Sequence, residues 1–310
     1  MPRSEKTQHA TMRDRPVAGN IHWSGVAFQS LYPHPMLTLP VELVDYIISD
    51  LDRNTLRKIS QAHPILCCIA ERHLFADITV QNELQPVEFQ HPERTLTLDI
   101  TQLLSLFSYD AHIAKYILSL TIHAGGRETY YFLQSLSSIL PLLQQLKKIE
   151  LFRSRASTFP SLEWWSAPRN FRGSFMNALR LSTMKEIRFV GSISIPISLL
   201  NGCQSIKRLS FIGCYIYDTS DSPYPSLESL SVHDVDFKAL ERIVSWASKR
   251  RLQSFAFGQE TDDNVCPVTI IEPLFRSCFD TLTNVEIDLG WFCKPKFLRI
   301  VQMLITSEQQ

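Results

Sequence analysis

Seven cysteines, nine histidines and 31 acidic side chains are the groups in this chain that could do chemistry. The cysteines stand at 67, 68, 203, 214, 266, 278 and 293, an odd number with no C-x-x-C. Zinc needs paired ligands at close spacing, and the nearest later pairs lie 11 and 12 positions apart (214−203; 278−266). These cysteines read as buried, reduced thiols, which places the chain in a reducing compartment, cytoplasmic or nuclear. The histidines are scattered; His112 and His123 flank one apolar phrase and His233 follows another, and each reads as a surface or loop histidine. Asp262-Asp263 lies in the polar stretch 258–264 without the regular oxygen-ligand spacing of a calcium loop. There is no G-x-S-x-G, H-E-x-x-H, G-x-G-x-x-G or G-x-x-x-x-G-K-[ST]. Trp164-Trp165, beside Pro160 and Pro168, reads as cover for a core edge, with an exposed binding pair as the other reading. The expectation is a chain without catalytic residues, metal or cofactor.

Composition narrows the remaining classes. The chain has 310 residues, 45% of them apolar, enough for one large or two modest domains. Its 31 basic and 31 acidic side chains cancel, which argues against a general nucleic-acid or membrane-surface binder. No run of 18 apolar residues occurs, so no membrane span is expected. Residues 1–36 mix Arg3, Lys6, Arg13 and Arg15 with Glu5 and Asp14 and lack a hydrophobic stretch; they read as a disordered N-terminal segment and not as a secretion signal.

What positions the chain's surfaces is a repeated phrase, apolar-x-x-apolar-x-apolar. It occurs as Ile117-x-x-Leu120-x-Ile122, Leu146-x-x-Ile149-x-Leu151, Met184-x-x-Ile187-x-Phe189, Ile206-x-x-Leu209-x-Phe211, Leu227-x-x-Leu230-x-Val232, Leu252-x-x-Phe255-x-Phe257 and Leu282-x-x-Val285-x-Ile287. Offsets are 29, 38, 22, 21, 25 and 30. The last two apolar positions alternate, as a strand with one buried face requires. Helical patterns fall between the phrases at 130–146 (interrupted by Pro141), 237–251, 270–282 and 295–305. Strand, loop and helix at this spacing predict an α/β fold: a leucine-rich-repeat-like β/α solenoid with parallel strands over 112–310. An ordinary α/β domain is the other reading, kept open by the irregular offsets.

By strand alternation the intervening residues face the concave side. The rows are Ser119, Thr121, His123; Lys148, Glu150, Phe152; Glu186, Arg188, Val190; Arg208, Ser210, Ile212; Ser229, Ser231, His233; Ser254, Ala256, Gly258; and Asn284, Glu286, Asp288. Lys148, Arg188 and Arg208 are expected to make the middle partly basic, and Glu286 and Asp288 to make the end acidic. Phe152 and Ile212 would be large apolar residues on that face. With Glu150 and His233 these residues form the candidate target-binding set.

Residues 37–80 are organised differently. Leu39, Leu43, Ile47 and Leu51 fall at i, i+4, i+8 and i+12, one helical stripe. Pro40 suits a first turn. Asn54 is expected to cap a second helix, 55–63, and Pro64 to break it and open a third, 65–74, with Leu66, Ile69, Ala70 and Leu74 inward. Such a core is too small to stand alone.

This segment resembles the F-box. The resemblance rests on Leu39, Pro40, Glu42, Leu43, Ile47, Leu51, Leu56, Ser60, Leu74 and Phe75, with Asp77-Ile78-Thr79-Val80 where the family enters a strand. An F-box at 37–80, a connecting segment at 81–111 and degenerate repeats behind it resemble the fungal F-box proteins; the run 111–122 looks like their entry into the first repeat strand. The resemblance implies the substrate receptor of a cullin-RING (SCF-type) ubiquitin ligase. Leu39, Pro40, Glu42, Leu43, Ile47, Leu51 and Leu56 would contact a Skp-type adaptor, and through it a cullin. The repeats would hold an unknown protein target for ubiquitin-dependent degradation. A repeat scaffold with no ligase, its helices serving only as an N-terminal cap, is the alternative.

Overall fold

The computed structural model describes residues 39–82, 95–126, 128–154, 161–217, 226–248, 251–259, 268–278 and 280–289. The segment 1–36, Asp262-Asp263, Phe279, Cys266, Cys293 and the helical pattern at 295–305 lie outside them.

Helix formation at the start follows local chemistry. α1 (Val41–Ser49) begins one residue after Pro40, whose carbonyl accepts from the N–H groups of Leu43 and Val44. α2 (Arg53–Ala62) is capped by Asp52, one carboxylate oxygen of which accepts from the backbone of Asn54 and Thr55, and the other from the Thr55 hydroxyl. The cap therefore sits two residues earlier than the expected Asn54, because a carboxylate at 52 reaches the orphan N–H groups first. α3 (Pro64–Leu74) opens on Pro64, with His63 Nδ1 accepting from Ile65 N–H. Leu66, Ile69, Ala70 and Leu74 point inward as the periodicity requires. The described residues divide into two units, with the boundary between Val44 and Asp45.

Beyond α3 the chain is an α/β structure built on one sheet. Its strands are β1 (Asp77–Gln81), β2 (Leu96–Asp99), β3 (Ser119–His123), β4 (Lys148–Arg153), β6 (Glu186–Gly191), β8 (Arg208–Ile212), β10 (Ser229–His233), β11 (Ser254–Gln259) and β12 (Asn284–Leu289). The order is β12-β11-β10-β8-β6-β4-β3-β1-β2, every pair parallel and in register. All seven sequence phrases supply a strand. Three short strands, β5 (Leu162–Glu163), β7 (Ile193–Pro196) and β9 (Tyr215–Tyr217), form a second parallel sheet that periodicity does not signal. The sheet also begins earlier than expected: β1 pairs with β3, and the stretch 81–111 contributes β2 and α4 (Ile100–Tyr109).

Helices return the chain between strands: α5 (Thr129–Ile139), α6 (Arg169–Leu179), α7 (Phe237–Ala247) and α8 (Val268–Cys278). Pro141 converts the end of the first into a single 3-10 turn, Leu140–Leu142. α6 is not marked by the repeat phrase; it packs Phe171 and Phe175 under Trp164, with ring centroids 6.4 and 5.7 Å from the indole. Phe175 leads on to Phe189, and Phe189 stacks on Phe211 at 5.8 Å. Trp164 is thus core, while Trp165 is exposed and lies against Arg172.

At three places a hydroxyl ties one strand's lead-in to that of the strand before it. Thr183 donates to the Leu146 carbonyl (2.8 Å), Ser205 to Leu181 (2.7 Å) and Thr281 to Leu252 (2.7 Å). Gly191 ends β6 at φ +91°, and a Cβ there would sit 1.6 Å from the Arg153 carbonyl oxygen. Gly173, inside α6, has nothing within 4 Å of a Cβ. The same substitution therefore has opposite outcomes. Gly173→Ala raises stability by about 0.5–1 kcal/mol, and Gly191→Ala leaves too little folded protein for a cooperative transition in a denaturant melt.

The Asp52 cap titrates. Its hydrogen bonds, the Thr55 hydroxyl first, hold the carboxyl below its ordinary value. A depressed folded value means that the stabilisation is fully present above about pH 4 and is lost as pH falls through the folded value. Asp52→Ala is expected to lower the melting temperature at pH 7, with the gap from the parent closing under acid.

Candidate functional site

Burial acts on two of the thiols in the same direction. Cys67 is pushed up to about 12 by burial and then by its contact with Glu71. Cys203 is pushed up to about 11 by burial. Both stay protonated at neutral pH, the inert form of a cysteine. Among the described residues no group of three or more His, Cys, Asp or Glu is placed to hold a metal ion.

The sheet's outward face carries the arranged chemistry. In-register pairing turns the predicted rows into lanes that cross the strands. The first lane runs Asp77, Ser119, Lys148, Glu186, Arg208, Ser229, Ser254, Asn284. The second runs Thr79, Thr121, Glu150, Arg188, Ser210, Ser231, Ala256, Glu286, and the third Gln81, His123, Phe152, Val190, Ile212, His233, Gly258, Asp288.

Register decides how far the partly basic middle is balanced. Glu186 bridges Lys148 (3.2 Å) and Arg208 (3.0 Å), and Arg188 pairs with Glu150 (3.1 Å). Three cations meet two carboxylates, so the centre is an alternating ionic ladder that keeps an excess of one positive charge. The cause is register: residues 38 positions apart in sequence become neighbours, each facing an opposite sign. Glu286 and Asp288 are exposed at the other end, as expected for an acidic row.

The third lane is mixed. The His123 ring lies 4.5 Å from the Phe152 ring, and Phe152, Val190 and Ile212 are half-buried neighbours. His233 packs close over Gly258, where a Cβ would come 2.4 Å from its Nδ1. The bare glycine is what makes room for that imidazole. On the first strand the outward residues Thr79 and Gln81 are themselves buried, so the accessible face starts further along the sheet.

In the helical part the predicted residues separate by burial. Leu39, Leu43 and Ile47 are 39%, 49% and 43% exposed; Pro40 and Glu42 are exposed too. On α1 the inward residues are Val44 and Ile48. Leu51 is half-buried just past the helix end, where its N–H reaches the Ile48 carbonyl. Leu56 departs from the expectation: it is 3% exposed, an inward residue of α2, and has no surface to offer a partner. Val41, Tyr46 and Ile65 are exposed apolar residues that the stripe did not include.

The predicted rows also pass over Lys147, Lys185 and Lys207. Each occupies the position directly after the first apolar residue of its phrase, a signal present in the sequence but one step outside the alternating strand.

Comparison with models of known protein families gives no match, and comparison with curated proteins finds no similar sequence. Among the described residues no helix is long and apolar enough to cross a membrane.

The ionic ladder makes a measurable demand on stability. Glu186→Gln removes the carboxylate shared by Lys148 and Arg208. Two partly exposed pairs of this kind are together worth about 0.4–2 kcal/mol. The loss should appear in urea melts at low salt and shrink in 1 M salt, where screening reaches about 3 Å.

Proposed function

We propose that this chain is an F-box subunit of an SCF-type ubiquitin ligase. Its helices at 39–74 dock on a Skp-type adaptor, and its parallel sheet is the face of a leucine-rich-repeat-like solenoid that holds a protein target. The observation that carries the reading is the exposure of Leu43 and Ile47 on α1, one turn apart, beside exposed Leu39. Apolar side chains held in water at helical spacing suit a helical partner's groove. The order of elements supports it: three short helices, then a strand at Asp77–Gln81 with β2 on its outer edge, then parallel strands that follow chain order from β3 to β12. In this reading the chain does no bond chemistry. It brings a target near a ubiquitin-conjugating enzyme, and catalysis comes from proximity.

The adaptor contacts are Leu39, Pro40, Glu42, Leu43 and Ile47, with Leu51 at the margin. The target contacts are drawn from the third lane and its charged neighbours, where Phe152 and Ile212 supply apolar area and His233, Glu150, Arg188, Arg208, Lys148, Glu286 and Asp288 the polar rim.

Leu43→Asp tests the adaptor contact without touching the core, because Leu43 is half in water. An anchor residue of an interface costs about 2–4 kcal/mol when lost. The variant is expected to keep the parent circular dichroism spectrum and melting temperature and to lose co-purification with the Skp adaptor. Undiminished co-purification would remove the ligase reading and leave a repeat scaffold.

A further inference from the structure

The lysines just before three adjacent strands form a row of like charge that the fold neutralises only at its Lys207 end. The backbone places them: Lys185 N–H donates to the Lys147 carbonyl, Lys207 N–H to Lys185 and Glu228 N–H to Lys207. Lys147, Lys185 and Lys207 are therefore successive rungs, spaced at about 4.8 Å. The lane beside them alternates in sign through Lys148, Glu186 and Arg208. Their own row does not. Lys207 pairs with Glu228 at 2.8 Å, but among the described residues the Lys185 side chain meets only the Ser182 carbonyl and that of Lys147 has neither a hydrogen bond nor an ion pair. Arg208, with its side chain 63% exposed, gives only Nε to Glu186. Like charges on neighbouring strands are destabilising. Here the cost is carried in a chain whose total charge is zero.

We propose that this ledge, Lys147 and Lys185 with Arg208 beside them, binds an acidic segment of the protein target. The inference deepens the reading of the sheet as a target-binding surface and rests on it. Two features select a short run of carboxylates over a nucleic acid or an anionic membrane. The uncompensated charge is two lysines one strand spacing apart, roughly 5 Å, with Arg208 beside them already sharing Glu186, and a duplex is held by about 6–10 phosphate contacts. Glu186 and Glu228 also flank the lysines. A continuous track of phosphates would meet those carboxylates, whereas a peptide can set its own between them.

The test uses the full chain and a fluorescein-labelled peptide alternating glutamate and glycine, followed by anisotropy. Binding is expected, weakening as salt rises from 50 to 300 mM, on the order of the screening of exposed charges. The glutamine counterpart should not bind. The double variant Lys147→Gln/Lys185→Gln should bind about tenfold more weakly, with an unchanged melting temperature showing that it folds; Lys147→Glu alone should show the same direction. Absence of glutamate-peptide binding, equal binding by the double variant, or tighter binding to a duplex DNA or to phosphatidylserine vesicles would overturn the proposal. Adaptor co-purification is read separately, so a chain that holds its adaptor but ignores the peptide loses this inference and keeps the proposed function.

Discussion

In-register parallel pairing is the constraint on which the rest of the molecule depends. Each strand joins its neighbour with equivalent phrase positions opposite one another, so Leu120, Ile149, Ile187, Leu209, Leu230 and Phe255 form one buried ladder, and Ile122, Leu151, Phe189, Phe211, Val232 and Phe257 another. A one-residue slip anywhere would turn both ladders outward and bury charges in their place. The hydroxyl links from Thr183, Ser205 and Thr281 tie the loop of one unit to the backbone of the preceding one, which helps to hold that register.

The outward lanes follow from the same pairing. Alternating sign along Lys148, Glu186 and Arg208 is what adjacent strands tolerate at low cost, and it leaves the middle of the face nearly balanced. The lysine row one step away has no such alternation, and only its Lys207 end is paired, with Glu228. Third-lane residues are constrained more by shape. His233 can lie where it does because position 258 is glycine, and His123 because the Phe152 ring is beside it.

The helical part depends on a different balance. Val44 and Ile48 spend the buried side of α1, and Leu66, Ile69, Ala70 and Leu74 that of α3. Asp45 ties the two helices through His73 at 3.0 Å. What is left over on α1, Leu43 and Ile47 above all, has no role in that interior. On the proposed reading this surplus is the adaptor's contact, and Leu56, being inward, belongs to stability and not to docking.

Much of this was legible in the chain. Period-two alternation behind Leu146, Ile206 or Leu252 marks a strand wherever it occurs, since a half-buried strand has few other solutions, and parallel strands with intervening helices follow from the spacing. The inward side of α3 was readable for the same reason. What could not be read were features set by contact between distant segments. The partners of Lys148, Arg188 and Arg208 lie 22 to 38 residues away, so their neutralisation appears only once register is known. The small second sheet and β2 are strands of two to four residues, too short for a period. Leu56 and Leu43 are both apolar at helical spacing; which of them faces water depends on what the neighbouring helices cover. Local pattern, then, determined the elements and their faces by itself, because periodicity is a property of the chain. Tertiary structure decided which charges cancel, which lysines do not, and which leucines remain exposed, because these depend on neighbours that sequence distance conceals.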